Sequence, residues 1–599
     1  MLQPTFRFPL SVFALLLAFP FSAHAERDDR RPNIIVVLAD DQGWGDLSLH
    51  GNPNVETPNI DRLARDGAHL ENFYVCAVCS PTRAEFLTGR YHARMGVYST
   101  SAGGERFDAS ERTIGEVFQN AGYRTACFGK WHSGMQYPYH PNARGFDNFY
   151  GFCSGHWGNY FDPMLEHNGG ITQGTGFIVD DLFEQAYKFM ESDRDKPFFV
   201  YIALNTPHSP MQVPDANWDK FKEKTIVPDP APENARKQKL EHTRAALAMV
   251  ENIDQNMGGL DRFLARNELT DDTLVLYFSD NGPNGSRFNG GMRGRKGSTY
   301  EGGLRSPCVV RYPQGIEPGT KVERVAGAID LLPTLSEFAG IDWKSAAKSG
   351  KPHDGVSIYS DLTEPSVVTS ENDRVLFSSW KNKFSARTQK YRMHHTGQLF
   401  DIENDRGENK DVAKDRPEIA ARLSEAIKQW RETLPSDAAA KRPFTLGHPE
   451  AKFTQIPARD ATANGDIKRS NRFPNCSYLL NWITEKDEIA WEVDVLTSGK
   501  HEVELYYACP EKDLGATIEL SLGDQTLMAK VTQAVDGPLI GAKNDRVVRA
   551  EGDVKRWKPM SLGTIDLQPG RMTLRLKATD IPGSQVAEFR LLMFRNLEL

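Results

Sequence analysis

Four segments of the chain are apolar without alternation: NIIVVLAD from Asn33, YRTACFGK from Tyr123, KPFFVYIALN from Lys196 and TLVLYFSD from Thr273. A strand with one solvated face alternates apolar and polar residues. Short unbroken apolar runs belong to strands covered on both faces, as in parallel sheets. Parallel neighbours need crossover connections, and helices supply them. TPNIDRLARDGA from Thr57 and HTRAALAMVENIDQNMGGLDRFLARN from His242 carry apolar residues at helical spacing. The expected fold class is therefore α/β, a mostly parallel central sheet flanked by helices, from residue 33 to about 345.

A chain of 599 residues has room for two or three domains. A smaller α+β subdomain is expected over about 346–440, with strand-like RVLFSSW and QLFDI and the helix PEIAARLSEAIKQWRETL. Residues 441–470 contain Pro, Ala and Gly without clear periodicity and read as a linker and irregular entry. From 471 to 599 the pattern alternates, in AWEVDV, HEVELYY, ATIELSL, MTLRLKA and EFRLLMF, with turn signals between. Trp491, Val493 and Val495 would share one strand face, and an all-β sandwich is expected.

The first 25 residues have an early Arg7, an apolar run to Phe21 and Ala23-His24-Ala25, the layout of a signal peptide cut after Ala25. The catalytic part would then span 26–440. No later stretch is long enough to span a bilayer, so no stable membrane insertion is expected after cleavage, and the protein is expected in a periplasm or outside the cell. The net charge of −8 argues against a nucleic-acid partner. Seven cysteines are too few for a disulfide scaffold, and their odd number leaves at least one without an intrachain partner.

Ligands of open parallel sheets bind beyond the carboxyl ends of the strands. There the sequence places Asp40-Asp41, Lys130-Trp131-His132, Asn205 to His208, and Asp280-Asn281. Asp40, Asp41, Asp280 and Asn281 offer only hard oxygen ligands, which suit Ca2+ or Mg2+ rather than zinc. YVCAVCSPTRAEFLTGR, from Tyr74, raises a separate question. Its cysteine spacing alone allows a redox pair, half a metal site or a single special cysteine. Ser80 is a good N-cap and Pro81 suits a first helical turn, so Cys79 would sit just before a helix N-terminus, where anions are favoured. Arg83, Lys130, His132 and Lys296 would add positive charge around it, and a sulfate or phosphate ester is the natural substrate.

CSPTRAEFLTGR resembles the signature of the type I sulfatases, in which the cysteine of C-x-P-x-R is oxidised to formylglycine. GKWH (129–132), SDNG (279–282) and GRKGSTYEGGLRSP (294–307) resemble further blocks of that family in the expected order, and the likeness runs from about 31 to 435. It implies an alkaline-phosphatase-like fold and a formylglycine-generating maturation enzyme as partner. It further implies Cys79 as the nucleophile after conversion, and Ca2+ on Asp40, Asp41, Asp280 and Asn281. Arg83 and Lys130 would hold the formylglycine hydrate, and Asp280 would help deprotonate it. His208 and Lys296 would bind sulfate and protonate the leaving alcohol, and His132 would take the second hydroxyl's proton. The β-rich C-terminal part tilts the substrate towards sulfated sugars over aryl sulfates. Two other readings stay open: a phosphonate or phosphate-ester hydrolase of the same superfamily, and a catalytically silent glycan-binding protein if Cys79 is not matured. His156 could line the pocket or simply pack. The sequon Asn284-Gly285-Ser286 beside the metal loop favours a bacterial setting, since a glycan there would obstruct the site.

Overall fold

The computed structural model describes Met1 and residues 31–343, 351–364, 374–437 and 442–599. The expected signal peptide lies outside the described residues, apart from Met1. Among the described residues, no helix is long and apolar enough to cross a membrane.

Ten strands form the main sheet: β1 (Asn33–Ala39), β2 (Ala68–Leu70), β3 (Arg124–Lys130), β4 (Asn148–Phe152), β5 (Met164–His167), β6 (Gly170–Gln173), β7 (Phe198–Ala203), β8 (Thr273–Ser279), β9 (Cys308–Arg311) and β10 (Thr320–Val322). Their order is β10-β2-β9-β8-β1-β7-β3-β4-β5-β6. The centre is parallel: Val36 of β1 is in register with Leu276 of β8 on one side and Tyr201 of β7 on the other. β3 runs parallel to β7 and β4, while β9 and the β5–β6 pair are antiparallel additions.

The unbroken apolar runs follow from this position. Ile35 and Val37 pack into a core with helices α2 (Ile178–Glu191) and α3 (Leu240–Arg266). Ile34, Val36 and Leu38 pack on the opposite face against α1 (Cys79–Thr88) and α4 (Leu331–Phe338). Each such side chain contributes about 1.5–3 kcal/mol when fully buried, so a single charge at Val36 would open both the strand and the layer beneath it.

The smaller unit is a four-stranded antiparallel meander between Leu376 and Asp401, covered by helix α5 (Pro417–Glu432). The C-terminal region forms two six-stranded sheets that share one apolar core. Trp491, Val493 and Val495 face that core, with Glu492 exposed between them. The reading of 441–470 as linker needs correction. Phe444–Leu446 and Thr462–Asn464 pair with Glu488–Val495, and Phe453–Pro457 pairs with Glu588–Asn596. These pieces are only 3 to 5 residues long, too short for their alternation to stand out from irregular sequence.

Candidate active site

The parallel centre brings four strand ends to one edge. Asp40 N–H donates to Thr206 O (3.0 Å) and Asp280 N–H to Ala39 O (3.1 Å), so the loops after β1, β7 and β8 are stitched together just beyond the sheet. Gly129, in GKWH, lies at φ 111, and a Cβ there would stand 2.0 Å from Ala203 O; only glycine lets β3 come this close to β7. Asp41 (φ 68) and His132 (φ 59) occupy left-handed backbone, a strain that persists only where the surroundings enforce it.

α1 begins two residues earlier than the sequence suggested. Cys79 is its first residue and Val78 its N-cap, so Ser80 is not the cap. The cap is displaced because tertiary contacts fix the turn. Thr82 Oγ1 accepts the Cys76 N–H (2.8 Å) and bonds Asp280 O, while the Ser80 hydroxyl donates to Ser99 O (3.0 Å). All seven cysteines are free and buried, so Cys76 and Cys79 form no bridge; Cys76 Sγ instead lies 3.5 Å from His92 Nδ1.

Cys79 Sγ and carboxylate oxygens of Asp40 and Asp280 all fall within 4.8 Å of one another. Arg83 is wholly buried. Its guanidinium donates to Asp280 Oδ2 from Nε (3.1 Å) and Nη2 (2.9 Å), to Lys130 O (2.8 Å) and to Leu204 O (3.2 Å). Lys130 Nζ reaches Asp40 Oδ2 at 2.6 Å, and Lys296 Nζ reaches Asp41 Oδ1 at 2.5 Å. Asp41 N–H donates to Asp280 Oδ1 (3.1 Å), and Asn281 Nδ2 to Asp41 Oδ1 (2.8 Å). Three carboxylates thus face three cations in a largely buried space that opens on the side of Lys296.

Burial would raise the Asp40 carboxyl, but Lys130, with His208, Arg83 and Lys296, outweighs it and holds it far below the carboxylate range. For Asp280 burial prevails, helped by the charge of Asp40 and against Arg83 and Lys130, and its carboxyl is pushed up to about 7. Burial opposes the Lys296 ammonium, yet Asp41 holds its pKa above the ordinary value. Burial also raises the Cys79 thiol, despite Lys130 and Lys296 nearby. An unmodified Cys79 is therefore a neutral thiol and a weak nucleophile.

His132 Nε2 lies 2.8 Å from Thr100 O, which fixes the proton on Nε2 and leaves Nδ1 as a buried lone pair with no partner among the described residues. Burial and then Lys130 depress its pKa well below the usual value, so the ring is neutral. His208 points Nε2 towards Asp41 Oδ2 (3.6 Å), with Nδ1 donating to Ser209 O (2.8 Å). All ten predicted site residues thus gather at this edge of the sheet. His156, left open by the sequence, joins them: its ring centroid is 5.1 Å from that of His208, and neither ring nitrogen has a hydrogen-bond partner among the described residues.

Two supporting residues were not foreseen. Arg287 donates to Asp41 O (2.9 Å) and to both Asp46 oxygens (2.7 Å each), clamping the left-handed turn at Asp41. Gln212 ties the loop bearing His208 to the C-terminal region. Its Nε2 donates to Gly541 O (2.6 Å) and Asp545 Oδ1 (2.8 Å), and its Oε1 accepts Tyr160 N–H (2.7 Å). The Tyr160 hydroxyl in turn reaches His208 O (3.0 Å) and Ser209 O (2.8 Å). These partners stand 241 and 329 residues apart in sequence, where no local pattern can signal them.

A cation fits this site. Asp40 Oδ1, Asp41 Oδ2 and Asn281 Oδ1 are buried without hydrogen-bond partners among the described residues. Buried oxygens lacking partners are costly, and these three, two from carboxylates and one from an amide, form an all-oxygen donor set that matches a hard divalent ion.

Known proteins resemble this chain in sequence and in fold. A sequence model of the family described as Sulfatase matches residues 32–341, just over half of the chain. Human N-acetylgalactosamine-6-sulfatase is 29% identical over 381 residues, covering 58% of this chain and 68% of that protein. Human arylsulfatase A is 29% identical over 412 residues, covering 61% and 75%. The crystal structure of Ps i-CgsB in complex with k-i-k-neocarrahexaose superposes with a TM-score of 0.60 at 27% identity, over 68% of this chain and 94% of that one. The matched segment contains the four strand ends and Cys79 as well as Lys296, and the chain belongs to the sulfatase family, with the activity of a sulfatase, a hydrolase of sulfate esters.

Proposed function

We propose that the protein removes sulfate from a sulfated carbohydrate, using Cys79 after its oxidation to formylglycine and a Ca2+ ion held by Asp40, Asp41, Asp280 and Asn281. The observation that carries this is the placement of Cys79: a thiol kept neutral by burial, at the first residue of a helix, within 4.8 Å of two carboxylates and flanked by lysines. Such a thiol has little use as a nucleophile, whereas a hydrated aldehyde there supplies one hydroxyl to attack sulfur and a second to release it. Bound calcium would orient the sulfate and offset charge on its oxygens.

The remaining steps belong to the chain's own side chains. Arg83 and Lys130 fix the carboxylates and hold the hydrate at residue 79. Asp280 accepts the proton of the attacking hydroxyl, one of its oxygens lying within 4.8 Å of the residue 79 side chain. Lys296 and His208 bind the sulfate, and His208, the more exposed of the two histidines, protonates the leaving alcohol on the open side. His132 takes the proton of the second hydroxyl at Nδ1, its only ring nitrogen without a partner. A sugar substrate is favoured because an N-acetylgalactosamine-6-sulfatase is among the relatives and a neighbouring structure, Ps i-CgsB, is a complex with k-i-k-neocarrahexaose. The signal-peptide-like N-terminal sequence is the basis for reading the enzyme as exported, and a maturation enzyme would convert Cys79.

The test is mass analysis of the tryptic peptide spanning residues 66–83 from active protein. The aldehyde form at Cys79 is expected, and an intact thiol in enzyme that turns over would sink the reading.

A further inference from the structure

Beside Lys296 lies a cavity of about 320 Å3, lined by Lys237, Lys239, His242, Asn284, Arg295 and Lys296 together with small residues. Lys296 joins it to the carboxylates, its ammonium being 2.5 Å from Asp41 Oδ1. Among the described residues no carboxylate lines it. Lys237 is paired with Glu233 on the outer side (2.5 Å), but Lys239 and Arg295 make no side-chain hydrogen bond or ion pair with any described residue. Four cations converge here on a chain whose net charge is −8. Like charges gathered in a concave wall repel one another and focus a positive field into the space between them. An anion in that space relieves the repulsion. A second cavity of about 690 Å3 shares Lys237, Ser286 and Arg295 with the first and continues to Arg293 and Tyr300, leaving room for further sugar rings.

We propose that the cavity beside Lys296 is a second anion subsite, which takes a sulfate or carboxylate on the sugar next to the one being desulfated. The preferred substrate is then a polyanionic oligosaccharide rather than a saccharide with a single sulfate. This rests on the sulfatase reading of the Asp40–Asp280 site and adds to it a requirement on the neighbouring sugar. Lys239 and Arg295 supply the charge, and Asn284 and His242 offer hydrogen bonds to hydroxyl groups on the same ring.

Titration of the full-length Cys79→Ala protein, which cannot turn over, tests this apart from catalysis. The probes are heparin-, chondroitin- and carrageenan-derived tetrasaccharides, with inorganic sulfate as the single-anion probe and a DNA oligonucleotide as a polyanion of another class. At least one tetrasaccharide is expected to bind, and adding K239Q and R295Q should weaken it by about fivefold or more and flatten its salt dependence, with the affinity for inorganic sulfate unchanged. Four results would overturn the proposal. These are no tetrasaccharide bound at millimolar concentration, a smaller loss in the double variant, an equal loss for inorganic sulfate, or DNA binding as tight as the best tetrasaccharide. Sulfate release by the matured enzyme is measured separately. Its absence would count against the chemistry proposed at Cys79 and leave the binding result standing.

Discussion

Arg83 bears the heaviest load in the site, and replacing it by Met tests the electrostatic account directly. The guanidinium is fully buried and makes four hydrogen bonds, two to Asp280 Oδ2 and one each to Lys130 O and Leu204 O. Met fills much of the volume and supplies none of them. At about pH 9, above the value of about 7 to which the Asp280 carboxyl is pushed, stripping the partner from this buried charge costs up to about 3–5 kcal/mol, and each carbonyl left without a donor adds about 1–3. The loss should be at least about 4 kcal/mol, a large share of the 5–15 typical of a whole domain. Arg83→Lys should lose less but still fail, since one ammonium cannot span acceptors on three loops. The assay is urea denaturation in chelator, followed by tryptophan fluorescence, with the transition of the catalytic unit resolved from that of the C-terminal sheets. The double variant Arg83→Met/Asp280→Asn decides the cause. If the orphaned carboxylate carries the cost, the double variant should be at least about 2 kcal/mol more stable than the sum of the two single changes implies. Strict additivity, or a loss below about 1 kcal/mol for Arg83→Met, would refute the argument.

Calcium should raise the denaturation midpoint of the wild type, by about 2.7 kcal/mol at a hundredfold excess over its dissociation constant, and Asn281→Ala should abolish most of the gain; no shift at millimolar calcium would remove the cation from the account. Glu301 is buried among arginines: burial would raise its carboxyl, but Arg392, with Arg387 and Arg305, brings it down to about 2. Its folded pKa lies below the unfolded value, so the stability it contributes is complete above about pH 4.5 and is lost as pH falls towards 2, in all about 3 kcal/mol. Glu301→Gln should therefore be destabilised at pH 7 and show a flatter acid limb than the wild type; parallel curves would contradict this. Gln212→Leu should lower kcat by about tenfold with a smaller change in KM, because it frees the His208 loop from Asp545 and Gly541, and kinetics within twofold of wild type would show that the tie is only structural.

What the sequence disclosed follows from the physics of the parallel sheet. Its strands are buried on both faces, so they stand out as unbroken apolar runs, and the residues after each run must lie at one edge. That rule alone located Asp40, Asp41, Lys130, His132, His208, Asp280 and Asn281. Cys79, Arg83 and Lys296 lie elsewhere in the chain and were legible only as parts of longer blocks. The misplaced helix start shows the limit of local rules: Ser80 has the chemistry of a cap, but a hydroxyl donates wherever the fold presents an acceptor, and Ser99 O does so. Arg287 and Gln212 had no local signal at all, since each acts through a partner that only the folded chain brings near.

The tie through Gln212 bears on how the C-terminal sheets should be regarded. Cys476 Sγ lies 2.6 Å from His156 O, Asn475 Nδ2 reaches Thr100 O (3.4 Å), the carbonyl against which His132 is set, and Arg549 holds Gly158 O (2.7 Å). Gly552 sits so close to His156 that a Cβ there would stand 2.5 Å from the ring. Thus loops from two separate stretches of the C-terminal region form the wall behind His132 and His156 and brace the loop of His208. A segment that binds glycan on a tether could be removed without touching the site, but this one cannot. Its removal would strip the support from three histidines at once, so loss of activity on truncation would not by itself identify a carbohydrate-binding role. Only substitutions on the outer faces of the two sheets, away from residues 471–478 and 540–552, can separate targeting from architecture.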